Sequence, residues 1–272
     1  MLSTDKGIVA VMTRSVRAAA ALKNLPPFPQ VAAKVANLLA NDPISFREIA
    51  DTLKTDAALS AEVLRLANSP LVDVRYEVTS LLQALALLGV GRIRNLIMTL
   101  TLSRFLKLAG DTGAMRLLWR HNLACALAAR HFAERLSSNA SEAYYAGLFH
   151  DIGRLALLVQ DPVFYDQALR KGSVLDEEEL IHFGVDHCEA GAWVIEKWRL
   201  PQPFIEVALH HHRPKPNHSP LTMLVHSSCV VANRLGFSLS QVTDEQVESE
   251  PTEELGLSIA LLINSLECEY GI

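Results

Sequence analysis

Apolar residues recur at spacings of three and four along almost the whole chain, which is the period of an amphipathic helix. Alternating runs of Val, Ile and Thr between turn residues, which are typical of strands, are nearly absent. Proline-containing breaks at 25–30 (LPPFPQ), 41–43 (NDP) and 68–70 (NSP) separate successive apolar segments. The pattern therefore predicts an all-α fold.

The N-terminal part of the chain predicts a series of short helices with recognisable starts. A first core helix over 31–40 follows the proline-rich stretch, and Ser45 with Glu48 three residues later makes a capping box for a second. Asp56 can cap a third helix. The apolar positions of the second and third helices that are predicted to face inward are Ile49, Leu53, Leu59, Val63, Leu64 and Ala67.

Two further apolar segments, 78–88 and 92–108, are each predicted to form a helix. The stretch AGDTGA at 109–114 is rich in turn residues. It is the expected boundary between an N-terminal helical subdomain, residues 1–112, and a second helical domain, residues 113–272.

The end of the chain predicts two more helices. One runs from about Leu221 to Leu235 and is closed by Gly236, and the last covers Leu255 to Leu266. The acidic run DEQVESEPTEE at 244–254 is expected to be a solvated helix and turn rather than an interaction tail.

Length and charge narrow the class of protein. With 272 residues, of which 50% are hydrophobic, the chain is long enough to bury a core. The net charge of −5 gives no overall attraction to phosphate backbones. The adjacent helices that begin near Ser45 and Asp56 could form a DNA-binding helix-turn-helix, but Glu62 stands beside the single basic residue Arg65. A nucleic-acid partner is therefore disfavoured.

The cysteines and the hydropathy pattern indicate a cytoplasmic protein with no membrane span. The four cysteines lie far apart with no C-x-x-C pair, which fits neither a disulfide framework nor a thiolate zinc knuckle. The apolar stretch from Leu81 to Leu102 is interrupted by Arg92 and Arg94, so it falls short of the roughly 20 uncharged residues that a bilayer span needs.

Candidate chemistry begins with a histidine and an aspartate in an apolar run. His150 and Asp151 stand side by side in YAGLFHDIGRLALL, residues 145–158. They could hold a metal ion in a buried pocket, or they could form a buried hydrogen-bonded pair that only stabilises packing. Gly147 and Gly153 flank the pair and would let another helix or a ligand come close.

Other histidines can be sorted by their helical positions. His187 is predicted in the first turn of a helix, where the helix dipole favours a neutral imidazole that could bind metal, although such a residue often faces water. Three consecutive histidines, 210–212, fan out over roughly 200° of helix surface, so at most two can serve one site. His210 is interpreted as a cation at a helix end. The histidines assigned to the surface or to packing are His131, His182 and His218.

Taken together, these positions resemble the HD-type metal-dependent phosphohydrolase superfamily. The residues that carry the likeness are His121, His150, Asp151, His187, His211 and His212. The stretches at 25–39, 53–71 and 81–98 resemble the N-terminal half of the HDOD family, in which an added helical subdomain precedes a modified HD domain. The resemblance covers roughly Leu25 to Gly236.

This resemblance implies an HD-domain-like helical bundle with a role in bacterial signal transduction. HDOD domains are related to the HD-GYP phosphodiesterases that cleave cyclic di-GMP. By position, His121, His150 and Asp151 match the ligands of a first metal, and Asp151 would bridge to a second. Histidines 187, 211 and 212 match the ligands of that second ion. The implied cofactor is a divalent transition metal, with iron, zinc, nickel and manganese as candidates.

The chain also departs from the HD pattern. Cys229 occupies the position of the aspartate that closes the first site, and no acidic residue lies between Leu221 and Gly236. This degenerate ligand position should weaken the binding of oxygen-preferring metals. Arg154 stands where HD-GYP enzymes tend to have lysine, and the Gly-Tyr-Pro segment is missing. Asp151 and Arg154 remain the candidate catalytic residues.

Three functions stay open from the sequence. The first is a regulatory HDOD protein with a partly degenerate metal site, which acts through contacts with a signalling protein of the sensor-kinase or response-regulator class. The second is an active phosphohydrolase whose two ions activate water against a nucleotide or another phosphoester. The third is nucleic-acid or nucleotide binding without chemistry, which rests on Arg92, Arg94 and Lys107.

Overall fold

The computed structural model describes residues 16–23, 46–68, 76–106, 112–171 and 175–239, with the single positions 25, 27 and 34. Within these ranges the chain is helical and contains no strand, so the all-α prediction is confirmed. None of the helices described is long and apolar enough to cross a bilayer. The predicted helices at 31–40 (apart from position 34) and 255–266 and the acidic run lie outside the described residues.

Twelve α-helices, here α1 to α12, are bounded within the described ranges. Their bounds, in chain order, are Phe46–Leu53, Ala57–Ala67, Leu81–Leu88, Val90–Leu106, Gly113–Arg135, Ala140–Phe149, Ile152–Gln160, Pro162–Lys171, Leu175–Phe183, His187–Lys197, Pro203–His210 and Pro220–Ala232.

The chain divides into two compact units. The larger unit contains Met1–Pro26, Leu106–Lys197 and Gln202–Ile272, and the smaller contains Pro27–Phe105 and Trp198–Pro201. The predicted division of the chain after residue 112 stays a prediction.

The first helices of the smaller unit follow their predicted pattern. Ile49 and Leu53 of α1 are buried. The Oδ1 atom of Asp56 accepts hydrogen bonds from the backbone N–H groups of Ala58 and Leu59, each at 3.0 Å, and so caps α2 as predicted. Three of the inward positions of α2 are buried, namely Leu59, Val63 and Ala67. Leu64, which was also predicted to face inward, is only half-buried.

Two helix starts differ from the prediction. Helix α3 begins at Leu81 rather than residue 78, because the Ser80 side chain accepts from the N–H of Gln83 in a capping box. The backbone of Val78 is instead bound to the side chain of Asn68, with N–H···Oδ1 at 2.7 Å. Helix α4 begins at Val90 rather than at residue 92, directly after Gly89, whose φ of 79° ends the preceding helix. Its predicted end at residue 108 lies outside the described residues.

The larger unit is organised around α5, which has 23 residues and packs against α6 and α12. Helix α7 packs against α10, and α10 packs against α11. The Thr112 side chain caps α5 by accepting from the N–H of Met115 at 3.1 Å. These contacts bring the ends of α6, α7, α10 and α11 close to the middle of α5.

Glycines permit two of these contacts, as the sequence indicated, and in both cases the neighbour is another helix. A Cβ at Gly147 would lie 2.8 Å from the Cα of Ala126 in α5. A Cβ at Gly153 would collide with the carbonyl oxygen of His187 and lie 2.5 Å from the nitrogen of Gly191 in α10. Because Gly153 follows Asp151 by two residues, this contact places Asp151 beside His187.

The last described helix ends earlier than predicted. Helix α12 starts at Pro220 after the N-cap Ser219 and stops at Ala232, not at residue 235. A wider turn of π type follows over Asn233–Phe237. Within that turn Gly236 has a φ of 89°, outside the helical region, in keeping with its predicted role in closing the helix.

We predict that Gly153→Ala destabilises the protein strongly, by about 3 kcal/mol or more, because the added methyl group overlaps backbone atoms that cannot move aside. Urea denaturation monitored by circular dichroism measures the change. Gly113→Ala is the matched control, since its Cβ would meet only Asp166 Oδ1 at 3.7 Å. Equal stability of the two variants would contradict the close approach of α7 to α10.

Candidate metal centre

The predicted site residues converge in the larger unit. His121 lies in α5, His150 and Asp151 lie between α6 and α7, and His187 begins α10. His211 follows the last residue of α11. These five side chains are almost fully buried, with at most 2% of each residue exposed. His212 is half-buried beside them. Their role as metal ligands stays a prediction, and their convergence is the geometry that this role requires.

A first pair of imidazoles meets through nitrogen atoms that carry no proton. The Nε2 atoms of His121 and His150 are 3.2 Å apart. Each ring donates its Nδ1–H to a backbone carbonyl, at 2.9 Å to Phe237 and at 2.7 Å to Gly147. Burial lowers the pKa of both histidines, so both are neutral at pH 7. Two lone pairs therefore face each other across a gap that only a cation fills favourably.

The spacing of this pair fits one ion. Two imidazole nitrogens bound to a tetrahedral ion at about 2.05 Å would be about 3.3 Å apart. The observed separation of 3.2 Å agrees with that value. We call His121, His150, Cys229 and the Oδ2 atom of Asp151 the His121 subsite.

A second set of nitrogens lies on the other side of Asp151. The Oδ1 atom of Asp151 is 3.4 Å from His187 Nε2 and 3.3 Å from His211 Nε2. His211 donates its Nδ1–H towards the carbonyls of Val207 and Ala208, which turns its Nε2 towards Asp151. Asp151 Oδ1 and His211 Nε2 are buried without a partner that meets hydrogen-bond geometry. Buried polar atoms of this kind are costly, and a cation between them would satisfy both.

His212 completes this second group. Its Nε2 is 2.9 Å from the Nε2 of His187. Burial lowers the pKa of His212, and the neighbouring histidines lower it further. We call His187, Cys188, His211, His212 and the Oδ1 atom of Asp151 the His187 subsite.

Asp151 lies between the two subsites and is held by Arg154. Its Oδ2 atom is 3.9 Å from His121 Nε2 and 3.7 Å from His150 Nε2, but only 3.2 Å from the guanidinium of Arg154. Burial raises the pKa of Asp151, yet Arg154 and the nearby imidazoles outweigh burial and hold the pKa well below its usual range. The carboxylate is therefore ionised, and Arg154 competes with an ion for one of its oxygens.

Arg154 is itself fixed by two more carboxylates. Its Nε donates to Glu179 at 3.1 Å, and another nitrogen donates to Asp176. Arg154 is only 5% exposed. A buried guanidinium with three carboxylate partners has little freedom to swing away from Asp151.

Glu179 is a functional residue that the sequence analysis missed. It is fully buried and accepts from the backbone N–H of His187 at 2.9 Å, from its Nδ1 at 2.7 Å and from the hydroxyl of Tyr165 at 2.9 Å. This arrangement orients the His187 ring, as carboxylates behind metal-bound histidines do. Glu179 follows three acidic residues in the first turn of α9, a pattern typical of solvent-facing positions.

The sequence predicts a neutral His187, but the contact with Glu179 favours the protonated ring. The helix dipole led to the expectation of a neutral ring, with a water-facing position as the alternative, but the side chain is fully buried. Burial and Arg154 lower the pKa of His187, yet Cys188 and the carboxylates of Glu179 and Asp151 outweigh them and raise the pKa well above its usual range. An ion that binds at the His187 subsite must displace this proton.

Two cysteines and one more histidine border the cluster. The Sγ atom of Cys229 is 3.6 Å from His121 Nε2, and that of Cys188 is 3.3 Å from His187 Nε2. His226 donates its Nδ1–H to the carbonyl of His211 at 2.6 Å. Sequence reasoning singled out Cys229 but neither Cys188 nor His226. His226 lies 15 residues after His211, across a loop and the start of α12, so the spacing in the sequence does not reveal their proximity.

The remaining histidines lie outside the cluster. His210 stacks on His218, with ring centroids 4.3 Å apart. His182 stacks on Phe164 at 4.2 Å and contacts Asp161 at 3.0 Å. His131 packs edge-on against its neighbour Phe132. Their positions agree with the packing and surface roles expected from the sequence.

A cavity of about 250 Å³ opens onto the cluster. Its lining includes His121, His212, Cys229 and the cationic side chains of Arg154 and Arg213. The cavity therefore connects both subsites with solvent and is lined by charges of both signs, because Asp176 also faces it.

Comparison with known proteins identifies the family. The chain matches the HDOD domain over residues 25–214, which is more than half of its 272 residues. It belongs to the HDOD domain family. A crystal structure of an HDOD domain protein from Geobacter sulfurreducens is similar to it with a TM-score of 0.70 and 24% sequence identity, over 95% of this chain and 96% of that chain.

Two curated relatives are longer than this chain. An uncharacterized protein from Treponema pallidum is 22% identical over 218 residues, which is 75% of this chain and 41% of the relative. Cyclic-di-AMP phosphodiesterase PgpH from Listeria monocytogenes is 26% identical over 140 residues, which is 46% of this chain and 19% of PgpH. The chain thus spans less than half the length of either relative.

We predict that Glu179→Gln lowers the affinity of the centre for Zn²⁺ by about 10- to 100-fold, because His187 loses the carboxylate that orients its ring. Competition with a chromogenic chelator measures the affinity. Glu177→Gln, an exposed change in the same helix, should leave the affinity unchanged. Equal affinities for both variants would contradict the orienting role of Glu179.

A second prediction concerns the loop that connects α11 to α12. Glu206 accepts from the N–H of Ser219 and from the hydroxyl of Thr222, both at 2.7 Å, and these bonds lower its pKa to about 2. Because the folded pKa is depressed, the stabilisation is present above about pH 4.5 and is lost as the pH falls towards 2.

Glu206→Gln should therefore be less stable than the wild type at pH 7, with the difference shrinking below pH 4. Thermal unfolding across this pH range is the measurement. Glu196→Gln, at an exposed position of α10, serves as control. A stability difference that does not change with pH would contradict the ionised state of Glu206.

Proposed function

We propose that this chain is a cytoplasmic bacterial signalling protein of the HDOD family that acts through protein–protein contacts and carries a partly degenerate metal centre. The observation that carries the proposal is the state of Asp151, the carboxylate between the two subsites. Its Oδ2 atom already pairs with Arg154, and Cys229 stands where a second carboxylate would close the first site. A bound divalent ion would supply Lewis-acid chemistry here.

The size of the cavity supports a regulatory role. Pockets that bind small ligands typically enclose about 300–1,000 Å³. The cavity over the cluster has about 250 Å³, which leaves little room for a dinucleotide. In that case the histidines and Asp151 mainly stabilise the packing of α5, α7, α10 and the end of α11.

The proposed partner is a signalling protein of the sensor-kinase or response-regulator class. Large apolar side chains exposed on the smaller unit are Phe46, Tyr76 and Leu82, with 44%, 62% and 45% of their surface accessible. Aromatic and aliphatic side chains of this kind are the usual anchors of protein interfaces.

Affinity capture from a lysate of the native host tests this role, and we predict recovery of a protein with a sensor-kinase or receiver domain. Capture should fail for Leu82→Asp, because a charge is placed on the exposed apolar surface of α3. It should survive His150→Ala and the matched control Val163→Asp, which changes an exposed position of the larger unit. Capture that is insensitive to Leu82→Asp would contradict a contact through this surface.

The alternative function is hydrolysis of a nucleotide or another phosphoester. Asp151 lies between two pairs of histidines, as a two-ion centre requires, and Arg154 and Arg213 could neutralise a phosphate in the cavity. PgpH, the relative that matches 46% of this chain, is named as a cyclic-di-AMP phosphodiesterase.

Turnover of bis(p-nitrophenyl) phosphate and of cyclic dinucleotides decides between the two functions. We predict no turnover by the wild type with Zn²⁺, Mn²⁺ or Fe²⁺, because Arg154 occupies one oxygen of Asp151. Measured turnover that disappears in His150→Ala and persists in His182→Ala, outside the cluster, would establish the alternative.

A further inference from the structure

Cys229 stands where the HD pattern has the aspartate that closes the first site, and its thiol lies close to His121. Its thiol lies in α12, is 5% exposed, and lines the cavity over the cluster. The ligand atoms of His121, His150 and Cys229 all lie within 4.8 Å of one another. No disulfide engages Cys229. Three donors of the right kind therefore surround one point.

The distances among these donors match a tetrahedral ion with mixed ligands. For bonds of about 2.05 Å to nitrogen and about 2.3 Å to sulfur, the expected separations are about 3.3 Å between nitrogens and about 3.5 Å from nitrogen to sulfur. The structure has 3.2 Å between His121 Nε2 and His150 Nε2, and 3.6 Å between His121 Nε2 and Cys229 Sγ. Two independent distances thus agree with one ion position.

The oxygen atom of Asp151 is less well placed than these three donors to bind an ion between His121 and His150. The Oδ2 atom of Asp151 is 3.9 Å and 3.7 Å from the two histidine nitrogens, which is wider than the nitrogen pair itself, and Arg154 already donates to it. Mg²⁺ and Mn²⁺ prefer several oxygen ligands, whereas imidazole and thiolate together suit Zn²⁺.

We propose that the His121 subsite is a zinc site in which Cys229 binds as a thiolate beside His121 and His150, with Asp151 as the fourth ligand. The inference deepens the proposed function, because it rests on the same metal centre and names the ion. Binding of Zn²⁺ releases the thiol proton of Cys229 to solvent, so one positive charge leaves as the dication enters. The cysteine thereby changes the metal preference of the site instead of abolishing it.

Titration with Co²⁺, a spectroscopic substitute for Zn²⁺, tests the sulfur ligand directly. The full-length wild type should develop a near-ultraviolet thiolate-to-cobalt charge-transfer band that Zn²⁺ then removes. Cys229→Ser should lose this band, and its Zn²⁺ affinity should fall at least about tenfold. Cys125→Ser, which changes a buried thiol that donates to the carbonyl of Val225 and belongs to neither subsite, is the matched control and should keep the band. A band that depends on Cys188 alone would overturn the assignment.

A second variant keeps the test independent of a general loss of structure. Cys229→Asp supplies the carboxylate that the site lacks and should shift the relative affinity from Zn²⁺ towards Mn²⁺ by about tenfold or more. Circular dichroism verifies that each variant is folded. An unchanged preference in Cys229→Asp would count against Cys229 as a ligand.

X-ray absorption at the zinc edge examines the wild type without any substitution. The expected first shell has one sulfur at about 2.3 Å, with two nitrogens and one carboxylate oxygen at about 2.0 to 2.2 Å. A shell of nitrogen and oxygen only would overturn the role of Cys229 while leaving the metal centre intact. Failure to bind any divalent ion would instead overturn the metal centre of the proposed function.

Discussion

The close approach of α7 to α10 at Gly153 is the constraint on which the rest of the site depends. With no Cβ at Gly153, the two backbones come near enough to place Asp151 against His187. A side chain at this position would push the two helices apart and move Asp151 away from His187. The relative position of Asp151 and His187 is therefore fixed by direct backbone contact at Gly153. Such contact is more rigid than contact through flexible side chains.

Polar atoms without a hydrogen-bond partner lie in the cluster beside the ion pairs that hold Asp151 and Glu179. The facing nitrogens of His121 and His150 and the unpartnered atoms Asp151 Oδ1 and His211 Nε2 are costly to bury. Packing of α5 against α6 and α12 holds them in place. A cation that enters relieves these costs, so its binding energy is coupled to the stability of the helices that supply the ligands.

Much of this arrangement could be read from the sequence, for identifiable reasons. Helix caps such as Asp56 act within three residues, and the histidines of the cluster stand at positions that resemble the HD pattern. Glu179 could not be found, because its acidic neighbours resemble a solvated first turn. The start of α3 was misplaced since the bond from Val78 to Asn68 spans ten residues. The case for Cys229 as a ligand likewise depends on its distance to His121, which the spacing of the two residues in the sequence does not provide.

The hydrogen bond from His121 to the carbonyl of Phe237 gives the turn after α12 a mechanical connection to the centre. That single contact, at 2.9 Å, sets the rotation of the imidazole ring. The conformation of Asn233–Phe237 therefore fixes the direction in which His121 presents its Nε2 to His150. A change in the conformation of this turn would alter the distance between the two imidazoles.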